Sequence, residues 1–306
     1  MQNETHPSYH SLTGTDFTER IEESLKIISD CTLCPRECHV NRTSGEKGFC
    51  RTADMPFVSS WGPHFGEERP LVGRFGSGTI FFGNCNLGCI FCQNYSISHL
   101  GEGTEIPHDK LADIMISLQE AGCHNINLVT PPHQVPAIIR AVAIAIGKGL
   151  RIPLVYNCGG YESVETLRIL DGIIDIYMPD FKYADNKYSA EYSDAGDYPE
   201  KAKSAIKEMH RQVGDLKLDE AGIAIRGLLV RHLVLPEGSA GTEKVVRFVA
   251  EEISKNIYIN IMDQYHPCFK AMENPLLNRR ITGKEYSDAI KYAICAGLNR
   301  IDGVNV

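Results

Sequence analysis

The sequence predicts an α/β fold of six strand–helix units behind a cysteine-rich N-terminal extension. From about residue 75 onward, short apolar runs bounded by breakers alternate with stretches of helical apolar spacing. Apolar residues make up 43% of a 306-residue chain, enough to bury a full core without cross-links. Residues 31–70 break the pattern, being rich in Cys, Gly, Pro and Arg and poor in apolar runs.

In chain order, residues 1–15 show no periodicity and are expected to be mobile. Ile21, Leu25 and Ile28 share a helical face and predict a helix over Phe17 to Ile28. Residues 31–70 read as loop, and the domain division is placed as an extension over 1–74 and a main unit over 75–306. Thr79 to Gly83 is an apolar run between breakers, suited to a strand buried on both faces. Leu111, Ile114, Met115 and Leu118 follow helical spacing. Strands are then predicted over Asn125–Val129, Ile152–Tyr156, Ile173–Met178, Gly227–Leu235 and Ile257–Met262. The helices between them are Val135–Lys148, Val164–Leu170, Pro199–Val213 and a segment marked by Val245, Phe248, Val249 and Ile253. Tyr286, Ala289, Ile290, Ala293 and Ile294 mark the last helix. Such alternation means right-handed βαβ crossovers and a parallel sheet, either doubly wound or a partial barrel. In both, ligands bind at the carboxyl ends of the strands.

Composition excludes several classes. Lys and Arg number 31 against 39 Asp and Glu, a net charge of −8, which disfavours nucleic acid as a partner. No run of 18 apolar residues exists to cross a membrane. The polar start, Met1 to His6, lacks the apolar core of a secretory signal, so a soluble, cytoplasmic protein is expected. There are 11 cysteines, an odd count that in a reducing compartment points to metal binding or catalysis.

The loop after the first predicted strand reads Gly83-Asn84-Cys85-Asn86-Leu87-Gly88-Cys89-Ile90-Phe91-Cys92, a Cys-x3-Cys-x2-Cys spacing. Three thiolates cannot close a tetrahedral zinc site alone. They can hold three irons of a 4Fe-4S cube and leave the fourth open. A zinc-binding loop or a group of buried thiols is the alternative.

With an aromatic residue, Phe91, before the third cysteine, this loop resembles the signature of the radical S-adenosylmethionine (SAM) superfamily. The resemblance covers residues 75 to about 300. It implies a partial (β/α)6 barrel, with Cys85, Cys89 and Cys92 as cluster ligands and SAM chelating the open iron. It implies Phe91 packed near the adenine. The implied chemistry is reductive cleavage of SAM to a 5′-deoxyadenosyl radical that abstracts hydrogen. A reduced flavodoxin or ferredoxin type protein is the expected electron donor.

The other strand ends supply the candidates for SAM. After the second strand, where the family commonly has Gly-Gly-Glu-Pro to receive the SAM amine, this chain has Val129-Thr130-Pro131-Pro132-His133. Thr130 is then the expected contact, and His133 either faces the site or, the favoured reading, is a solvated loop residue. After the third come Asn157, expected at the SAM carboxylate or ribose, and Gly159-Gly160, which permit close approach of a ligand. Asp180-Phe181-Lys182 resembles the Asp-x-Lys element of pyruvate formate-lyase-activating enzymes, an ion pair capping the barrel being the alternative. Strand alternation lets only one of Arg231 and His232 point inward, and an inward Arg231 would suit the SAM carboxylate. Gln264, Tyr265 and Cys268 lie in a segment resembling the family's last strand. Gln264 is placed near the adenine. Tyr265 and Cys268 are candidate hydrogen-atom donors, with packing as the alternative for Cys268. Cys123 and Cys295 are expected to be buried, inert thiols.

A second set, Cys31-x2-Cys34-x3-Cys38-x11-Cys50, can close a metal site completely, either structural zinc or an auxiliary Fe–S cluster. Arg36, Arg42 and Lys47 would offset its negative charge. Together the two sets resemble a pyruvate formate-lyase-activating-enzyme-related subgroup that carries Cys-Pro-Arg-x-Cys ahead of the barrel. That implies an activity such as installing a glycyl radical. This chain has no Arg-Val-x-Gly-aromatic segment, so the substrate would be a separate protein. A radical SAM enzyme acting on a small molecule or peptide is the second reading. A non-catalytic Fe–S or zinc protein is the third.

Overall fold

The computed structural model describes residues 6–304; the polar start that argued against a secretory signal lies largely outside them. Ten strands form one sheet system: β1 Phe57–His64, β2 Ser77–Phe82, β3 Thr104–Glu105, β4 Ile126–Val129 and β5 Leu154–Cys158, then β6 Ile176–Pro179, β7 Lys217–Leu218, β8 Ala224–Leu233, β9 Tyr258–Met262 and β10 Arg300–Ile301. Along the sheet the order is β10-β9-β8-β6-β5-β4-β2-β1-β3, with β7 on β8. From β2 to β9 all pairings are parallel and follow chain order. A doubly wound sheet would reverse its order at a switch point. This one never does, and β2 and β9 do not pair. The architecture is therefore the partial (β/α)6 barrel.

The six parallel strands are those the apolar runs predict. The third and fourth start two and three residues later than predicted, at Leu154 and Ile176. In the latter case the Asp175 carboxylate accepts from the N–H groups of Ser8 and Leu154, which fixes the chain before the strand begins. β4, β5 and β6 are buried at every position, as strands covered on both faces must be. Helices His108–Glu120, Val135–Gly147, Val164–Ile169 and Tyr198–Val213 return the chain between strands. The helix expected around Val245 to Ile253 is α-helical only over Thr242–Phe248 and ends in a π turn over Val249–Ile253. The last helix, Gly283–Cys295, starts from a capping box between Thr282 and Glu285.

Several expectations are corrected. Residues 8–11 form a 3-10 turn in which Tyr9 is fully buried and donates its hydroxyl to the Ile152 carbonyl; this part of the N-terminus is tied down. Residues 31–70 are not all loop. β1 runs antiparallel to β2 across the whole of the latter, and so joins the sheet from within the 1–74 segment. Gly62 and Pro63 disguise it in the sequence. Proline is compatible there because β3 covers β1 only at Phe57 and Val58, leaving the rest as an edge. Cys123 is buried, but Cys295 is exposed. Among the described residues no helix is long and apolar enough to cross a membrane.

Candidate active site

The Cys85–Cys92 loop leaves β2 through Asn84, whose φ of 67° bends the backbone sharply and whose N–H reaches the Ile97 carbonyl at 2.8 Å. The loop is then held by main-chain bonds from its own N–H groups. Gly88 donates to Ser193 and Ile90 to Tyr192, at 3.0 and 2.9 Å. The extension braces it from the other side: Arg36 Nε donates to the Asn86 carbonyl at 2.9 Å. Arg51 donates to the Ser98 and His99 carbonyls, both at 2.8 Å. His99 Nε2 in turn donates to the Cys89 carbonyl at 3.0 Å.

Each of the three sulfurs has a polar neighbour in or beside the loop. Cys89 Sγ accepts from Ser193 Oγ at 2.9 Å, Cys85 Sγ from the Leu87 N–H at 3.4 Å, and Cys92 Sγ pairs with Ser98 Oγ at 3.1 Å. Burial pushes the Cys85 and Cys89 thiols up; Cys89 adds to this at Cys85, and Lys182 pulls Cys89 back down. Cys85 and Cys89 therefore keep their protons at neutral pH.

Cys89, Cys92 and Phe91 wall a cavity at the carboxyl ends of the strands, together with Asn157, Asp180, Lys182, Arg231 and Gln264. Phe91 is edge-on to Tyr183 and Tyr265, with ring centroids 6.3 and 6.0 Å away. Arg231 points inward, as expected, while His232 turns outward to Phe181 and Thr242. Arg231 is the hub of the mouth. Its Nε donates to Asp180 Oδ1 at 2.8 Å and its Nη2 to Asn157 Oδ1 at 2.7 Å. Lys182 Nζ takes the other Asp180 oxygen at 2.6 Å. Burial opposes charge at Asp180, but Arg231 and Lys182 outweigh it and hold the carboxyl below its usual range. Burial likewise opposes charge on Lys182, and Asp180 and Cys89 outweigh it.

Sequence reasoning missed Glu67 and Glu68. The chain after β1 brings them to Arg231 Nη1, at 3.7 and 3.9 Å. Glu67 also lines the cavity and is near Asn157 Nδ2, at 3.4 Å. Burial pushes its carboxyl up against the pull of Arg231. The only signal was an acidic pair in a segment read as loop.

Three residues expected at the cavity lie elsewhere, and two further readings are corrected. Thr130 does not line the cavity; it sits at a φ of 59° with its N–H bonded to the Asn157 carbonyl. Tyr265 and Cys268 do not line it either. The chain turns away after β9, so the Tyr265 hydroxyl donates to the Leu277 carbonyl at 2.7 Å and the Cys268 thiol to the Phe91 carbonyl at 3.2 Å. Both support Phe91 and its neighbours. His133 is buried, not solvated, with Nε2 donating to the Gly83 carbonyl at 2.8 Å. Gly159-Gly160 serve internal packing. A Cβ on Gly160 would run into the Asp180 carbonyl and, at 2.9 Å, the Tyr198 hydroxyl.

Residues 79–219 match the family model for the radical SAM superfamily. The uncharacterized protein MJ0674 of Methanocaldococcus jannaschii is 32% identical over 284 residues, covering 90% of this chain and 77% of that one. A crystal structure of HydG, a maturase of the [FeFe]-hydrogenase, aligns with a TM-score of 0.48 at 12% identity. That alignment covers 94% of this chain, which spans 62% of the HydG chain.

Proposed function

The chain belongs to the radical SAM superfamily, and from that premise we propose that Cys85, Cys89 and Cys92 hold its 4Fe-4S cluster and that the cavity beside them takes SAM. The donor set fits. Two of the three thiols wall the same cavity as two cations and two carboxylates, so a cofactor with an ammonium, a carboxylate and a sulfonium meets both signs of charge there. When bound, cluster and SAM supply one-electron cleavage of SAM to methionine and a 5′-deoxyadenosyl radical.

The chain's own residues bind and orient. Lys182, kept charged against burial by Asp180 and then Cys89, offsets the negative charge of thiolate ligation. Glu67 takes the part that an acid after the second strand plays elsewhere in the family: it receives the SAM ammonium, in place of Thr130. Arg231 and Asn157 face the SAM carboxylate, and Asp180 holds the guanidinium in place. Phe91 and Gln264 lie at the adenine end. Phe91 has an aromatic wall behind it that keeps water from that side.

The observation that carries this reading is the shared cavity of Cys89, Cys92, Asp180, Lys182 and Arg231. Anaerobically reconstituted protein given dithionite and SAM is expected to form 5′-deoxyadenosine, and Cys89→Ala to form none. Product from that variant would sink the assignment. Glu67→Gln is expected to weaken SAM binding at least tenfold while the cluster's iron count stays unchanged.

The substrate we propose is a backbone glycine of a separate protein, with a flavodoxin or ferredoxin type donor supplying the electron. The support is the barrel's incompleteness: the sheet ends at β10 on one side and β3 on the other without closing, which suits lateral entry of a polypeptide segment. Incubation with cell extract should give a glycine-centred EPR doublet on a large protein. Deuterium transfer from a labelled metabolite, without that doublet, would instead place the enzyme among those acting on small molecules.

A further inference from the structure

Away from the barrel mouth, Cys31, Cys34, Cys38 and Cys50 wall a single small cavity. All four are unpaired thiols, three of them buried and Cys38 half-buried. The chain is built to bring them together. Cys31 N–H reaches the Val40 carbonyl and His39 N–H the Cys31 carbonyl, at 3.0 and 3.1 Å, which folds 38–40 back beside 31. The return of 48–50 depends on Gly48, where a Cβ would stand 2.7 Å from the Cys38 Sγ. The Phe49 N–H points at that sulfur from 3.4 Å.

Two buried groups on the same wall have needs the protein does not meet. Arg42 is 2% exposed, and its guanidinium finds only carbonyl oxygens, of Ala53 and His133. No carboxylate faces it among the described residues. A buried cation without a buried anion is costly. His133 is 1% exposed and lines the cavity, and its Nδ1 has no partner.

We infer that these four cysteines close a second metal centre, one whose ligand positions are all taken by the protein, and that Arg42 is its buried counter-cation. Four thiolates leave either zinc or an iron–sulfur cluster with the net negative charge that Arg42 needs. The thiols release their protons to solvent as the centre binds.

The second centre also braces the first site. Arg42 holds the His133 carbonyl at 2.7 Å, and His133 holds the Gly83 carbonyl at the root of the Cys85–Cys92 loop. Arg36, on the same cavity wall, holds Asn86 within that loop.

The test is iron, sulfide and zinc counting on the full-length, anaerobically reconstituted chain. About four irons at the Cys85–Cys92 loop are expected, with either one zinc or about four further irons and their sulfides beside them. The Cys34→Ser/Cys50→Ser variant should lose that second metal and keep the first four irons, while Cys89→Ala should lose the first four irons and keep the second metal. The two variants separate failure here from failure of the SAM-site assignment, which would show only in Cys89→Ala. Four irons and nothing else in the unmutated chain would overturn the inference, as would an unchanged metal count in the double variant. If the double variant does not fold, native mass spectrometry of the unmutated chain decides by itself, because the mass of one cluster alone differs from that of a cluster with a second metal centre.

Discussion

At the scale of single residues, Arg231 carries more of the site than any other side chain. Its guanidinium is buried among Asp180, Glu67 and Glu68. Arg231→Ala would take from these carboxylates the one cation they share, at a cost of about 3–5 kcal/mol. Urea unfolding of the metal-free protein should show that loss, and a variant as stable as its parent would contradict the geometry. Glu162 offers a pH test. Burial pushes its carboxyl up to about 7 from the ordinary 4.5, with the Tyr156 hydroxyl as its partner at 2.9 Å. Between those values the folded chain keeps a proton that the unfolded chain releases. Stability therefore falls as pH rises through that window, by up to ~3 kcal/mol. Glu162→Gln should flatten the decline in Tm between pH 5 and 8, and an unchanged slope would refute the assignment. The sequence made Arg231 and Asp180 legible because strand alternation decides which side chains point inward. It did not reveal Glu67, whose place depends on how β1 folds back. It placed Tyr265 and Cys268 at a strand end correctly but could not show the chain turning away from the mouth beyond Met262.

Among the elements, the strands buried on both faces were the most legible, since an apolar run between breakers has few other uses. β1 was hidden because an edge strand tolerates the Gly62-Pro63 pair that reads as a turn. The β5 exit was misread for a different reason. Its paired glycines suggested a ligand, yet Gly160 has a φ of 78° and packs on the Asp180 backbone. Gly160→Ala should cost about 1–3 kcal/mol from strain and displacement of the Asp180–Lys182 turn. A thermal melt checks this, and an unchanged Tm would mean the turn relaxes freely.

For the whole molecule, the order of the strands separates a barrel from a doubly wound sheet, and no local pattern contains that order. The extension is likewise more than an appendage. It supplies β1, the Glu67–Glu68 pair, and the arginines that hold the cysteine loop. A fragment spanning 75–306 would expose the β2 edge and strand Arg231 without two of its carboxylates. It should melt without a cooperative transition, whereas a sharp two-state melt would show the extension to be dispensable. The central claim, that the Cys85–Cys92 loop holds a cluster to which SAM binds directly, is tested most directly by EPR of the dithionite-reduced protein before and after SAM is added. The account predicts a reduced-cluster signal whose g-values change with SAM and which retains no SAM-responsive component in Cys89→Ala. A signal indifferent to SAM in the unmutated protein would contradict it.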